Sequence, residues 1–199
     1  MVKVAVLVSG GGTNLQAILD AERRGELPHG KVSLVLSSKD GVYALERAKN
    51  VGVTSAVVCR KSYDSAAEFD KALLAKLREH NVALVVLAGF LSILGESVIA
   101  AYRDRIINVH PSLIPSFCGE GYYGLRVHEA VLARGVKLTG ATVHLVNEIC
   151  DGGRILLQKA VAVQEDDTPE SLQKRVMEQA EWVLLPKAVE LVAKGMTEV

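Results

Sequence analysis

A chain of 199 residues, 49% of them hydrophobic, is long enough to bury a sizeable core and is most simply one domain, 1–199. Lys plus Arg and Asp plus Glu balance at 23 each, with no charge run or aromatic–basic stripe, which argues against a nucleic-acid partner. No apolar segment is long enough to span a bilayer, no leader pattern precedes the first strand, and Cys59, Cys118 and Cys150 have neither paired nor zinc-ligand spacing, so a reducing cytoplasm, no membrane and no metal are expected.

The segment Val2-Lys3-Val4-Ala5-Val6-Leu7-Val8 reads as a strand buried on both faces. Ser9-Gly10-Gly11-Gly12-Thr13-Asn14 follows, and Leu15, Ile18, Leu19 and Glu22 continue at helical spacing. Strand, glycine loop and helix in that order suit an anion: the glycines admit close backbone approach and the helix start offers free N–H groups. The spacing matches neither the dinucleotide nor the triphosphate glycine pattern, and the next strand runs into Ser37-Ser38-Lys39 with no acid to hold a ribose. The loop therefore reads as a monophosphate site, against the plainer alternative of a Gly-rich helix start.

The alternation continues with a strand at 32–36, a helix at 42–50 ended by Gly52 and a short strand at 54–58. Ser65 with Glu68 forms a capping box for a helix running to His80, and a wholly apolar strand covers 83–87. Regular βαβ alternation predicts a parallel sheet with ligands outside the carboxyl ends of its strands. The glycine loop, residues 88–94 and the next motif all fall on that rim.

That motif is Ile106-Ile107-Asn108-Val109-His110-Pro111-Ser112-Leu113-Ile114-Pro115. Residues two apart on a strand share a side, so Asn108 and His110 project together from its end. An amide that can hold an oxyanion beside an imidazole that can move a proton is what a carbonyl reaction needs, although two such residues are more often loop hydrogen bonding than catalysis. The irregular stretch 116–124 reads as a lid or as a plain surface connection. A short helix is expected at 128–132, ending at Gly135, then strands at 138–147 and 155–163 joined as a hairpin, with Asp151-Gly152-Gly153 as a turn between them. Thr168-Pro169 starts the last helix, whose inward stripe is Leu172, Val176, Gln179 and Val183, with a kink or break at Pro186.

Six segments in order carry a family likeness: the run from Val6 to Gln16, Leu87-Ala88-Gly89-Phe90, the motif from Ile107 to Pro115, Gly140-Ala141-Thr142-Val143-His144, Asp151-Gly152-Gly153, and Glu181-Trp182 with Pro186. Together the chain resembles the glycinamide ribonucleotide formyltransferases, folate-dependent enzymes of purine biosynthesis. The resemblance implies a Rossmann-like, mostly parallel twisted α/β sheet flanked by helices, with a C-terminal antiparallel strand pair. Its N-terminal half, about 1–105, would bind the ribotide phosphate, and the half from about 106 to 199 would carry the folate and the chemistry.

The implied reaction is attack by the amine of 5′-phosphoribosylglycinamide on the formyl carbon of 10-formyltetrahydrofolate, here a co-substrate. By the same resemblance Asn108 would donate to the oxyanion, a cationic His110 would stabilise it or pass a proton, and Asp151 would hold His110 cationic and help proton shuttling through water. Thr142 and His144 would line the site. Gly11, Gly12, Thr13 and Asn14 would take the phosphate and Glu181 the sugar or amine. Leu91, Ser92, Ile93 and Leu94 would wall the folate pocket with Asn108, Asn147, Glu148, Ile149, Cys150 and Asp151.

Ser92 and Ala66 stand where members carry arginines that meet the folate's glutamate tail, and one extra residue falls between Leu172 and Glu181. Cys118 and Cys150 receive no chemistry. Small-molecule substrates are the expected partners, with the monomer and the homodimer both open. Another folate-dependent formyltransferase or a deformylase is the alternative enzyme; a non-catalytic nucleotide-binding module is the alternative outside enzymes.

Overall fold

The computed structural model describes residues 1–198; Val199, the last residue of the predicted domain, lies outside them. Strand β1 (Val2–Val8) sends Val4, Val6 and Val8 into one hydrophobic cluster and Ala5 and Leu7 into another. Its unbroken apolar run thus reflects cover on both faces. One face is packed by helices α1 (Thr13–Arg23), α2 (Tyr43–Asn50), α5 (Leu125–Arg134), α6 (Pro169–Val176) and α7 (Trp182–Thr197). The other is packed by α3 (Ala66–Glu79) and α4 (Glu96–Ala101).

The remaining strands are β2 (Gly30–Ser37), β3 (Thr54–Val57), β4 (Leu84–Leu87), β5 (Ile106–His110), β6 (Leu138–Leu145) and β7 (Ile155–Ala162). They form one seven-stranded sheet in the order β3-β2-β1-β4-β5-β6-β7. Pairings are parallel as far as β5, whereas β6 and β7 run antiparallel. The chain winds outward from β1 to β3, then returns to place β4 on the other side of β1. That reversal opens a crevice at the carboxyl ends of β1 and β4, where ligands of open α/β sheets bind. Residues 9–12 leave β1 there, residues 88–94 leave β4, and Asn108 and His110 close β5.

Several elements differ from the sequence expectation. Helix α4 was not foreseen: it is only six residues long, and its start is held from α3. The buried Asp70 carboxylate accepts from the Gly95 N–H and from Ser97 Oγ, both at 3.1 Å. A 3₁₀ turn at Arg60–Ser62 was likewise not expected, and α5 begins three residues before the predicted start and extends to Arg134. The last helix does not break at Pro186, which lies buried inside α7. Its irregularity is upstream, a π-turn at Met177–Glu181 whose wider hydrogen-bond spacing takes up one additional residue. The extra residue between Leu172 and Glu181 falls in the segment that contains this turn.

The β6–β7 connection is packed against the backbone it leaves. Leu145 N–H donates to Arg154 O at 2.8 Å, and a Cβ on Gly153 would lie 1.7 Å from Leu145 O. Gly153→Ala must therefore displace the loop that carries Asp151. We expect a loss of about 2 kcal/mol or more, within the range for backbone and overpacking effects. Urea unfolding measures it; a midpoint equal to wild type would contradict this packing.

Candidate active site

Strand β5 delivers Asn108 and His110 to one side of its end, as the two-residue spacing requires. Each faces a residue of β6: Asn108 pairs with His144 and His110 with Thr142. Asp151 arrives from the β6–β7 connection in the left-handed region, φ 53°, a conformation that Asp tolerates better than most residues. Its carboxylate turns inward between two imidazoles. Asp151 Oδ2 is 3.4 Å from His110 Nδ1, and Oδ1 is 3.5 Å from His144 Nε2. Thus Asn108, His110, His144 and Asp151, called from separate segments, meet in one place.

The loop after the motif closes over them. His110 Nε2 lies 2.8 Å from Phe117 O, and a carbonyl can only accept, so Nε2 carries a proton in this arrangement. Gly119 N–H donates to Asp151 Oδ2 at 2.9 Å. Residues 117–119 are thereby tied to both catalytic candidates. His144 Nδ1 donates to Leu145 O at 2.8 Å, which leaves Nε2 to accept from Asn108 Nδ2 at 3.2 Å. The carboxamide has a second N–H for a ligand.

Electrostatics run against one expectation. His110 is 4% exposed, and burial pulls its pKa below the ordinary imidazole value. The Asp151 charge and the Phe117 carbonyl push upward but do not win, so Asp151 does not hold His110 predominantly cationic at neutral pH. Asp151 is itself partly desolvated, which opposes ionisation. The nearby His144 ring, the Gly119 N–H and the His110 ring nevertheless hold it below the usual carboxylate range.

Behind His110 lies His128 on α5, fully buried, its two ring nitrogens without partners among the described residues. Burial, with His110 nearby, pushes its pKa down to about 4, so it is a neutral ring. No sequence signal singled it out. Cys118 and Cys150 both have raised pKa values, from burial first and Asp151 second, so neither offers a thiolate at neutral pH.

At the other end of the crevice, Gly12 precedes α1 at φ 72° with no side-chain cap on the helix start. A Cβ there would sit 2.7 Å from Ala44 Cβ, so α2 closes on the loop and glycine is required twice over. Arg47 of α2 donates from Nε to Gly11 O at 2.8 Å and from Nη1 to Gln16 Oε1 at 2.9 Å. It shares with Thr13, Gln16, Ala17, Asp20 and Trp182 a hollow of about 170 Å³. This cation at the phosphate loop was not read from the sequence, because nothing in the helix pattern distinguishes Arg47 from a solvated arginine.

Asn14 and Glu181, separated by 167 positions, are joined directly: Asn14 Nδ2 donates to Glu181 Oε2 at 2.7 Å. Both side chains are buried, and burial raises Glu181 to about 7, with the Asn14 hydrogen bond acting the other way.

The expected folate wall is mixed. Leu91, Ile93 and Ile149 are exposed, an arrangement that leaves apolar surface for a ring, and Ser92 is half-buried. Leu94 instead belongs to the core between α3 and α4. The Leu91 N–H is already used by Ser9 Oγ at 2.8 Å. Asn147 Oδ1 accepts from Ile149 N–H at 3.0 Å and so shapes the turn, while Glu148 pairs with Arg103 at 2.8 Å. Thr142 does not present a free hydroxyl: Oγ1 donates to Ser112 O at 2.7 Å and accepts from Ile114 N–H at 3.1 Å. It secures the segment after His110.

Against known proteins, residues 2–189 match the Formyl transferase family. The chain is 40% identical over 198 residues to phosphoribosylglycinamide formyltransferase of Haemophilus influenzae, covering all of this chain and 88% of that protein. It is 43% identical over 198 residues to the trifunctional purine biosynthetic protein adenosine-3 of Gallus gallus, spanning all of this chain but only 19% of that much longer protein. Among solved structures, glycinamide ribonucleotide transformylase 1 from Symbiobacterium toebii superposes with a TM-score of 0.92 at 42% identity, covering 98% of this chain and 89% of that one.

Glu181 gives a prediction with a definite sign. A buried acid whose pKa rises from 4.5 to about 7 keeps, in the folded state, a proton that the unfolded chain releases earlier. Stability must then fall as pH rises through that window. Relative to Glu181→Gln, which stays neutral, wild type is expected to lose up to about 3 kcal/mol between about pH 4 and about pH 8.5. Urea unfolding of both proteins at the two pH values tests it; parallel pH dependence would mean that Glu181 titrates in the folded protein as it does in the unfolded chain.

Proposed function

The chain belongs to the formyl transferase family, and within it to the phosphoribosylglycinamide formyltransferases; from that premise we propose that it transfers a formyl group from 10-formyltetrahydrofolate to the amine of 5′-phosphoribosylglycinamide, a step of purine biosynthesis. The observation that carries the reading is the Asp151 carboxylate set 3.4 Å from His110 and 3.5 Å from His144, with Asn108 bonded to the latter ring.

The ribotide phosphate is placed at the α1 start, on the N–H groups around Gly12, Thr13 and Asn14, with the exposed Gly11 beside them and Arg47 nearby. Glu181, one hydrogen bond from Asn14, then reaches the sugar or the amine. The folate ring would lie against Leu91 and Ile93 on one side and the 147–151 turn on the other. In the reaction the amine nitrogen bonds to the formyl carbon, and the carbonyl electron pair moves onto oxygen. The second N–H of Asn108 and the His110 Nε2–H, released from Phe117 O as substrate binds, would face that charge as it forms, which stabilises the transition state more than the ground state. Collapse expels the folate nitrogen, which takes up a proton as the amine loses one. Asp151 supports the transient positive charge on the imidazole.

Because burial lowers the His110 pKa, the ring is poised to accept and return a proton rather than to sit as a permanent cation. The cytoplasm is the proposed compartment, and the oligomeric state remains open to the monomer and the homodimer; no helix among the described residues is long and apolar enough to cross a membrane.

Incubation with both substrates should release tetrahydrofolate together with the formylated ribotide, detected by mass. Release of free formate without dependence on ribotide would favour the deformylase alternative. Asp151→Asn keeps the size and removes the charge, so kcat near neutral pH should fall by about 10²-fold with much smaller changes in KM. Activity within about threefold of wild type would reduce Asp151 to a turn residue.

A further inference from the structure

His110 begins a row of residues that crosses the sheet to its edge. It pairs with Thr142 between β5 and β6, and Thr142 pairs with Gln158 between β6 and β7. The backbone leaving His110 folds back over this row. Thr142 Oγ1 donates to Ser112 O at 2.7 Å and accepts from Ile114 N–H at 3.1 Å and from Gln158 Nε2 at 2.9 Å. Gln158 Nε2 also donates to Ile114 O at 3.0 Å. The one hydroxyl proton and both of its lone pairs are used, and both hydrogens of the Gln158 amide have acceptors. The segment Ser112–Ile114 is thus gripped at two carbonyls and one N–H, directly after the imidazole-bearing residue.

We propose that Gln158, on the edge strand and far from His110 in sequence, is a positioning residue for the reaction: acting through Thr142 and Ile114, it fixes the path of the chain that leaves β5 and so the direction in which the His110 ring points. This rests on the reading of His110 as a catalytic group. Location separates such a role from ordinary structural bonding. Gln158 is exposed, so water can replace its hydrogen bonds when it is removed, and folding stability should hardly notice. Catalysis is less forgiving, since displacement of a reacting group by about 1 Å can cost about 10²-fold in rate.

The test uses Gln158→Met, which keeps the length and loses both donors, and Gln158→Glu, which offers acceptors only. In both, kcat for formyl transfer should fall by about tenfold or more with both KM values within about threefold. The urea midpoint should stay near wild type, while the His110 ring resonances in the ligand-free protein shift or broaden. Adding Thr142→Val to Gln158→Met should cost much less than the product of the two single effects, since both break one clamp. Wild-type kcat with unmoved His110 resonances in both Gln158 variants would overturn the proposal, as would a loss of kcat that merely tracks a lowered urea midpoint with the ring unmoved. His110→Ala is the separate control: if it remains active, the catalytic reading of His110 fails, whatever Gln158 does.

Discussion

Everything at the carboxyl rim of this sheet refers to one carboxylate. Asp151 faces His110 at 3.4 Å and His144 at 3.5 Å, and it accepts the Gly119 N–H at 2.9 Å. A lone negative charge in so dry a place is costly unless its acceptor positions are filled. Here the Gly119 N–H fills one, and His110 and His144 bring ring nitrogens to the carboxylate from the ends of β5 and β6. Satisfying the carboxylate therefore also fixes the spacing of the two imidazoles and brings Phe117 O onto His110. Burial, which depresses the His110 pKa, and Asp151, which opposes that, act on the same ring. Of the two, burial prevails, and the ring's pKa lies below the ordinary imidazole value.

The two ends of the crevice solve different charge problems. At α1 the phosphate's charge would meet uncapped backbone N–H groups and Arg47, fixed donors that need no titration. Glu181 would work against that anion if ionised, but its burial favours the neutral form until about neutral pH. The π-turn that ends at Glu181 sits where α6 and α7 meet, and it lets one residue leave the helical phase so that its side chain reaches Asn14. Single π-turns inside helices recur at functional sites.

Much of the fold was legible because it obeys periodicity. The apolar runs of β1 and β4 announce burial on both faces, and the alternation with helices dictates a parallel sheet and a rim where loops gather. Asn108 and His110 were legible as a pair for the same reason, a period of two at a strand end. What escaped was set by contacts between distant segments. Helix α4 depends on Asp70 from another helix more than on its own six residues. Asp151 before two glycines reads as turn chemistry until the fold carries it to His110, and its role came from family likeness rather than from its neighbours. The likeness also gave Glu181 and Thr142, yet neither Asn14 as the partner of Glu181 nor Gln158 as the partner of Thr142 has a local signal. Family pattern implied a cationic His110 as well, whereas burial of the ring acts against the cation.

The most direct test of this account is a pH titration of the His110 ring nitrogens by NMR in the ligand-free protein, in wild type and in Asp151→Asn. The account predicts a wild-type pKa below the ordinary imidazole value, because burial dominates, and a lower one still in the variant, because the opposing charge of Asp151 has gone. A wild-type value above the ordinary one, or a variant value equal to or higher than wild type, would contradict the claim that Asp151 and burial pull this ring in opposite directions.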